Sequence, residues 1–430
     1  MAHSGAEKND FSRSTSLLWC LFIAPIFLCS ISNNKFFYAL KENSVDISGL
    51  LSTSKSSGVD EMRRTLITLD ASVIAIGEQS HGTSEFFRLR SQLIEMLSAD
   101  SQVSKIGLEA PMAEVEDLNL YLLESQGNVD KILKSLRLYS YECEEFKDFI
   151  NKVKEINQSR KKKITFFGFD MQSPFRSLEK INELSSEKDK IPSDTIKKLL
   201  YYYSMLNDQV YSHNFSEEDF DSLKHISKPI LSSLELASRD NKVFRYVKNY
   251  HQFLHLNDPT ITNHDGSIQS EIRDSLMALN IENEVVSGGK VVVLAHNGHV
   301  QKTKNVFSKS MGFFLRTRLG GKYQTIGLTT YRGTYTAFNQ NDGKITDTNP
   351  IATPQPDAFE YYAGKIGFEV FFVNNAKILK ETRREERPSK YKMMVYGYTQ
   401  DQFTRGDIFE DFDYLIHIQK TTGNRSFYLN

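Results

Sequence analysis

Four short segments hold residues able to move protons. Gly77-Glu78-Gln79-Ser80-His81-Gly82 sets a carboxylate three residues before an imidazole, and Leu108-Glu109 ends on a carboxylate. Ile272-Arg273-Asp274 carries a cation, and Ala295-His296-Asn297-Gly298-His299 sets two imidazoles three residues apart. Histidine titrates near neutral pH, so His81 is suited to take a proton from water when Glu78 orients it and makes it more basic. A second imidazole across a cleft, His296 or His299, is suited to hold the same water or to stabilise an oxyanion. Arg273 would steady a carboxylate or a developing negative charge if it faces the site; its neighbour Asp274 offers it a purely structural ion pair instead. Arg90, on the helix after His81, is a weaker candidate of the same kind. Gly77 and Gly82 are expected to let the backbone turn sharply and approach a substrate.

Each residue also has a plainer reading. A histidine after a strand commonly caps a turn, and Glu109 suits the start of a helix. Asp170 fits either a helix cap or support for a site residue. The joint pattern carries more weight, because three apolar strands end on such groups and two of those ends are flanked by glycine. No nucleophile stands out. There is no Gly-x-Ser-x-Gly elbow, Ser80 is the only serine adjacent to the imidazoles, and Cys143 lies between Glu142 and Glu144, which raise a thiol pKa. Direct attack by an activated water is the expected chemistry. Zinc competes, since His81, His296 and His299 would supply three imidazoles. His-Asn-Gly-His is nevertheless not the His-Glu-x-x-His helix of zinc proteases. The residues alone leave both open.

These groups need a scaffold that brings them to one rim. Apolar runs at Ala71–Ile76, Lys105–Leu108, Ile164–Phe169 and Val291–Ala295 read as buried strands. They alternate with helical patterns through Phe86–Leu97, Val115–Leu123 and Glu144–Ile156. The expected fold is therefore α/β, with a mostly parallel central sheet flanked by helices. Ligands of such sheets bind beyond the carboxyl ends of the strands. Residues 177–287 repeat apolar positions at helical spacing and form an expected helical insertion, one wall of a deep cleft. A helix follows near Met311–Leu319, then two strand-like runs, Gln324–Tyr331 and Thr334–Phe338, and a final strand at Asp413–Ile418.

Composition removes several classes. Of 430 residues, 40% are apolar and 25% charged, which is globular rather than disordered. A net charge of −1 without a basic, aromatic-interleaved stripe argues against nucleic acid, and Arg160-Lys161-Lys162-Lys163 reads as a solvated flank. Cys20 and Cys29 lie in an N-terminal apolar run, so Cys143 stands alone and no disulfide framework is expected. That run, Leu17–Ile31, follows Lys8 and Arg13 and has the shape of an export signal, with a retained membrane anchor as its competitor. Residues 1–32 are assigned to it, 33–60 to a polar linker, and 61–425 to the α/β domain.

The motifs together resemble the erythromycin esterase family. They are Ile76-Gly77-Glu78-Gln79-Ser80-His81-Gly82-Thr83 with Glu85-Phe86-Phe87, then Leu108-Glu109-Ala110, Gly168-Phe169-Asp170, Ile272-Arg273-Asp274 and Ala295-His296-Asn297-Gly298-His299-Val300. Gly312-Phe313-Phe314-Leu315, Tyr323-Gln324-Thr325-Ile326-Gly327 and Arg405-Gly406-Asp407-Ile408-Phe409 complete the set. The resemblance implies a metal-independent hydrolase without cofactor, acting on a small-molecule ester. His81 would be the general base and Glu78 its partner; Glu109, His296 and His299 would be further site groups, supported by Arg273 and Arg90. Two departures put a macrolide substrate in question. Ala110-Pro111-Met112-Ala113 replaces the family's aromatic after the glutamate, and Tyr139, Tyr141 and Phe146 replace its tryptophans. The competing expectations are a non-catalytic or carbohydrate-related binding protein with the same pocket and a metal-dependent hydrolase. No obligate protein partner is indicated.

Overall fold

The computed structural model describes residues 35–52, 57–185, 191–232, 242–285, 289–304, 308–340, 342–394 and 397–429. The apolar run 17–31 and the start of the expected linker lie outside them. Among the described residues no helix is long and apolar enough to cross a membrane.

Four buried strands, β2 (Val73–Ile76), β3 (Val103–Pro111), β4 (Thr165–Asp170) and β5 (Lys290–Leu294), stand where the apolar runs place them. They are parallel neighbours in the order β2-β5-β3-β4. Period-2 alternation splits their side chains between two cores. Ile74, Ile76, Ile106, Leu108, Val292 and Leu294 join the helices of one face. Val73, Ala75, Val291 and Val293 join those of the other. Burial on both faces explains why the runs are continuously apolar rather than alternating.

The other half of the sheet is less regular. β6 (Tyr323–Asn339) is one long strand where two were expected. Its first part pairs with β2 and, in parallel, with β11 (Tyr414–Thr421); its second part turns into an antiparallel hairpin with β7 (Lys344–Pro350). β8 (Val370–Asn374) is antiparallel to β11, and β1 (Ser44–Asp46) pairs with β8 at the edge. β9 (Lys390–Lys392) and β10 (Phe403–Arg405) form a separate small sheet. The expected linker is therefore corrected over residues 35–52. A helix over 35–43 buries Phe36 and Leu40, one turn apart, and β1 extends the sheet.

The insertion is helical, as read, and encloses its own core around Leu199, Tyr203, Phe220, Tyr250 and Phe253. It seats on the carboxyl end of β4: Asn249 Nδ2 donates to the Asp170 carbonyl at 3.1 Å. His213 Nε2 lies 3.2 Å from the Gln172 carbonyl. Three helices carry site residues: α1 (Ser84–Leu97), α2 (Gly266–Glu284) and α3 (Asn297–Val300).

Candidate active site

The strand ends do converge. Glu78 stands two residues beyond β2 and His296 two beyond β5; Glu109 lies two residues before the end of β3, and Asp170 closes β4. Asn297 N–H donates to the Glu78 carbonyl at 2.8 Å, tying the two glycine-flanked loops together. The glycines serve this packing, and the positive φ of Gly82 makes the sharp turn expected of it. A Cβ on Gly77 would meet Asn297 Oδ1 at 1.9 Å. On Gly82, whose φ is +74°, it would meet the Thr336 carbonyl oxygen at 2.1 Å.

In the first loop Glu78 Oε1 lies 2.8 Å from His81 Nδ1. A carboxylate only accepts, so Nδ1 carries a proton and Nε2 is the nitrogen left to take up or release one. No described residue bonds that Nε2. The other carboxylate oxygen accepts from Arg90 Nη1 at 2.7 Å, and Arg90 Nη2 donates to the Ala295 carbonyl at 2.7 Å. Arg90 is buried and thus joins the β2 and β5 loops from beneath.

In the second loop the two imidazoles differ. His296 Nε2–H donates to the carbonyls of Gln79 at 3.1 Å and Met394 at 2.9 Å, while Nδ1 accepts the Gly298 N–H at 3.2 Å. Both ring nitrogens are thus engaged with the main chain. Burial, and then the charge of His81, push His296 down to about 4, so it is neutral. Its ring lies 5.0 Å from that of His81 and backs it. His299 is the reverse case. Burial opposes its charge, but the Asp274 and Glu109 carboxylates prevail and raise it to about 10. Nδ1 is 2.6 Å from Asp274 and Nε2 is 3.3 Å from Glu109. With both N–H groups donating, the 3.3 Å approach of Arg273 Nη1 is a contact between two cations held by three carboxylates.

Arg273 does not pair with its neighbour Asp274. Adjacent residues of a helix point in different directions. Arg273 instead clamps Asp170 through Nε at 3.2 Å and Nη2 at 2.6 Å, and Nη2 reaches Glu109 at 3.1 Å. Burial pushes the Glu109 carboxyl up, but His299 and Arg273 hold it well below the usual range, and His296 N–H adds a bond of 2.9 Å. Glu109 is therefore a fixed anion.

The result is a layered cluster. The side chains of His81, Arg273 and His299 are 18%, 17% and 17% exposed. Behind each lies a buried carboxylate, Glu78, Asp170 and Asp274 respectively, at most 4% exposed. Asp274 and the Gln79 and Met394 carbonyls were not read as members. Carbonyls have no side-chain signature, and the adjacency of Asp274 to Arg273 suggested the wrong pair. Tyr141 also belongs to this neighbourhood: burial first, then the charge of Glu109, hold its phenol protonated.

The alternative nucleophiles are otherwise engaged. Ser80 Oγ bonds Thr83 Oγ1 at 2.7 Å rather than an imidazole. Cys143 is fully buried, and burial more than its acidic neighbours pushes the thiol up.

Comparison with known proteins bears on the family and the fold. The sequence model of the family described as erythromycin esterase matches residues 101–421. Erythromycin esterase type II of Escherichia coli is 25% identical over 82% of this chain and 90% of its own length. Erythromycin esterase type I of the same species is 24% identical over 62% and 71%. A crystal structure of a Bacillus cereus protein covers 92% of this chain and 99% of its own, with 20% identity and a TM-score of 0.73. A histidine-to-asparagine variant of an erythromycin esterase in its open conformation covers 90% and 99%, with 16% identity and a TM-score of 0.70. These two share the fold. On the family match, which spans most of its length, the chain belongs to the erythromycin esterase family and is a hydrolase acting on a small molecule.

Proposed function

We propose that this hydrolase cleaves a carboxylic ester by metal-independent attack of water activated at His81. One observation carries the reading: among the three imidazoles, only His81 presents a ring nitrogen that no described residue engages, and Glu78 fixes the tautomer that makes it a base. Water between Nε2 and the ester carbonyl would lose its proton to His81 as its oxygen bonds the carbonyl carbon. The charge on the carbonyl oxygen would be met by the cationic face of Arg273 and His299, with Tyr141 as a neutral donor. His81 would then return the proton to the departing alkoxide. Glu78 and Arg90 position the base, and His296 holds the Gln79 loop that carries it. A three-imidazole zinc site would require His296 to release two main-chain carbonyls and His299 to leave two carboxylates, which favours the metal-free route.

A macrolide lactone is one ester this chemistry would open. Aryl esters and macrolides form the test panel, and a product heavier by one water identifies the reaction. His81→Ala is expected to lower turnover about 10²–10⁴-fold while changing stability by about 1 kcal/mol or less. Wild-type turnover in that variant would remove the assignment. Chelator-sensitive turnover restored by zinc would replace it with the metallohydrolase. The apolar run at 17–31 further supports export or membrane anchoring, which fractionation of cells expressing the chain with and without residues 1–32 would test.

A further inference from the structure

A second polar cavity, of about 180 Å3, lies away from this cluster, between the turn after α3 and the segment Arg405-Gly406-Asp407. None of Glu78, His81, Glu109, Arg273 or His299 lines it. On one wall the Tyr391 hydroxyl donates to Asp411 Oδ2 at 2.8 Å, with Gln301 Oε1 3.3 Å away. The Thr303 hydroxyl donates to the other Asp411 oxygen. Burial pushes Asp411 up to about 6, so it is still mostly ionised at neutral pH and gains its proton only in mild acid.

The remaining acids of the lining are already answered. Asp407 Oδ2 takes Arg387 Nε at 2.7 Å and Arg384 Nε at 3.5 Å, and Glu410 takes Arg387 Nη2 at 3.2 Å. Two lining cations are not answered. Lys304 and Arg405 are exposed, and among the described residues neither side chain has a hydrogen bond or ion pair. Two unmatched positive charges at a concave site favour an anion, and the planar fork of an arginine suits a carboxylate. Three acidic side chains share the walls, so a single negative charge is tolerated better than two. The oxygens of Tyr391, Gln301 and Asp411 supply acceptors for a hydroxyl proton. The cavity is smaller than the usual pocket for a drug-sized molecule, which limits the ligand to a short one.

We propose that this cavity binds a small hydroxycarboxylate, its carboxylate between Lys304 and Arg405 and its hydroxyl against Tyr391 and Asp411. Lactate is the probe, titrated calorimetrically into the full chain, with lactamide and inorganic phosphate as comparators. Saturable binding of one lactate is expected, at least tenfold tighter than lactamide and tighter than phosphate. Arg405→Gln, an exposed change that leaves the melting temperature unaltered, is expected to weaken lactate at least tenfold, whereas His81→Ala leaves it unchanged. The proposal is overturned by a lack of saturable binding, by a preference for phosphate, or by lactate affinity that survives Arg405→Gln. Loss of binding in His81→Ala would also overturn it, since the anion would then occupy the hydrolase cluster. Its failure leaves the esterase reading standing, because no lining residue belongs to that mechanism.

Discussion

The loops after β2 and β5 are built from similar residues, yet they hold histidine in three different states. His81 faces outward on a carboxylate with one nitrogen open. His296 is locked neutral by main-chain groups, and His299, one turn later, is held as a cation between Asp274 and Glu109. Spacing alone treats the three as interchangeable ligands or bases. The partners of each ring decide otherwise: carbonyls and burial keep a proton off, whereas carboxylates keep one on.

The comparison breaks most readily at Asp274. Asp274→Ala would leave a buried imidazolium without its nearest counter-charge, and a loss of about 3–5 kcal/mol in urea denaturation is expected. A loss below about 1 kcal/mol would mean that His299 carries no charge.

Stability against pH sharpens the same contrast from both sides. His299 is raised from 6.5 to about 10, so its contribution is complete below the unfolded value and is lost as pH rises through about 10. His296 is lowered from 6.5 to about 4, so its contribution is present above 6.5 and is lost as pH falls through about 4. His299→Gln should flatten the alkaline fall, and His296→Asn the acid one. Wild-type profiles in both variants would erase the distinction.

A smaller effect separates the glycines of the two loops. Gly82→Ala forces a side chain at φ +74° against the Thr336 carbonyl and should cost about 1–2 kcal/mol. Gly298→Ala meets only the His296 ring and the flexible Met393 sulfur, each at 3.2 Å, and should cost less. Equal melting temperatures for the two variants would contradict this packing.

The parallel core was legible because strands buried on both faces are continuous apolar runs that stop abruptly at Glu78, Glu109, Asp170 and His296. The edge was not. β1 lies in Ser-rich, polar sequence, and the buried pair Phe36 and Leu40 is too short a pattern to mark a helix. β8 owes its place to pairing with β11, distant in the chain. The site was legible as a set of residues, since strand ends put titratable groups on one rim. Their roles were not, because the groups that fix them are carbonyls of Gln79 and Met394 or carboxylates brought from other elements.

The central claim is that His81 is the base. Aryl-ester hydrolysis by His81→Gly, measured with and without added imidazole, tests it most directly. The account predicts a rate lowered about 10²–10⁴-fold and partly restored by imidazole with the pH dependence of the added base. Undiminished hydrolysis in the variant would contradict it.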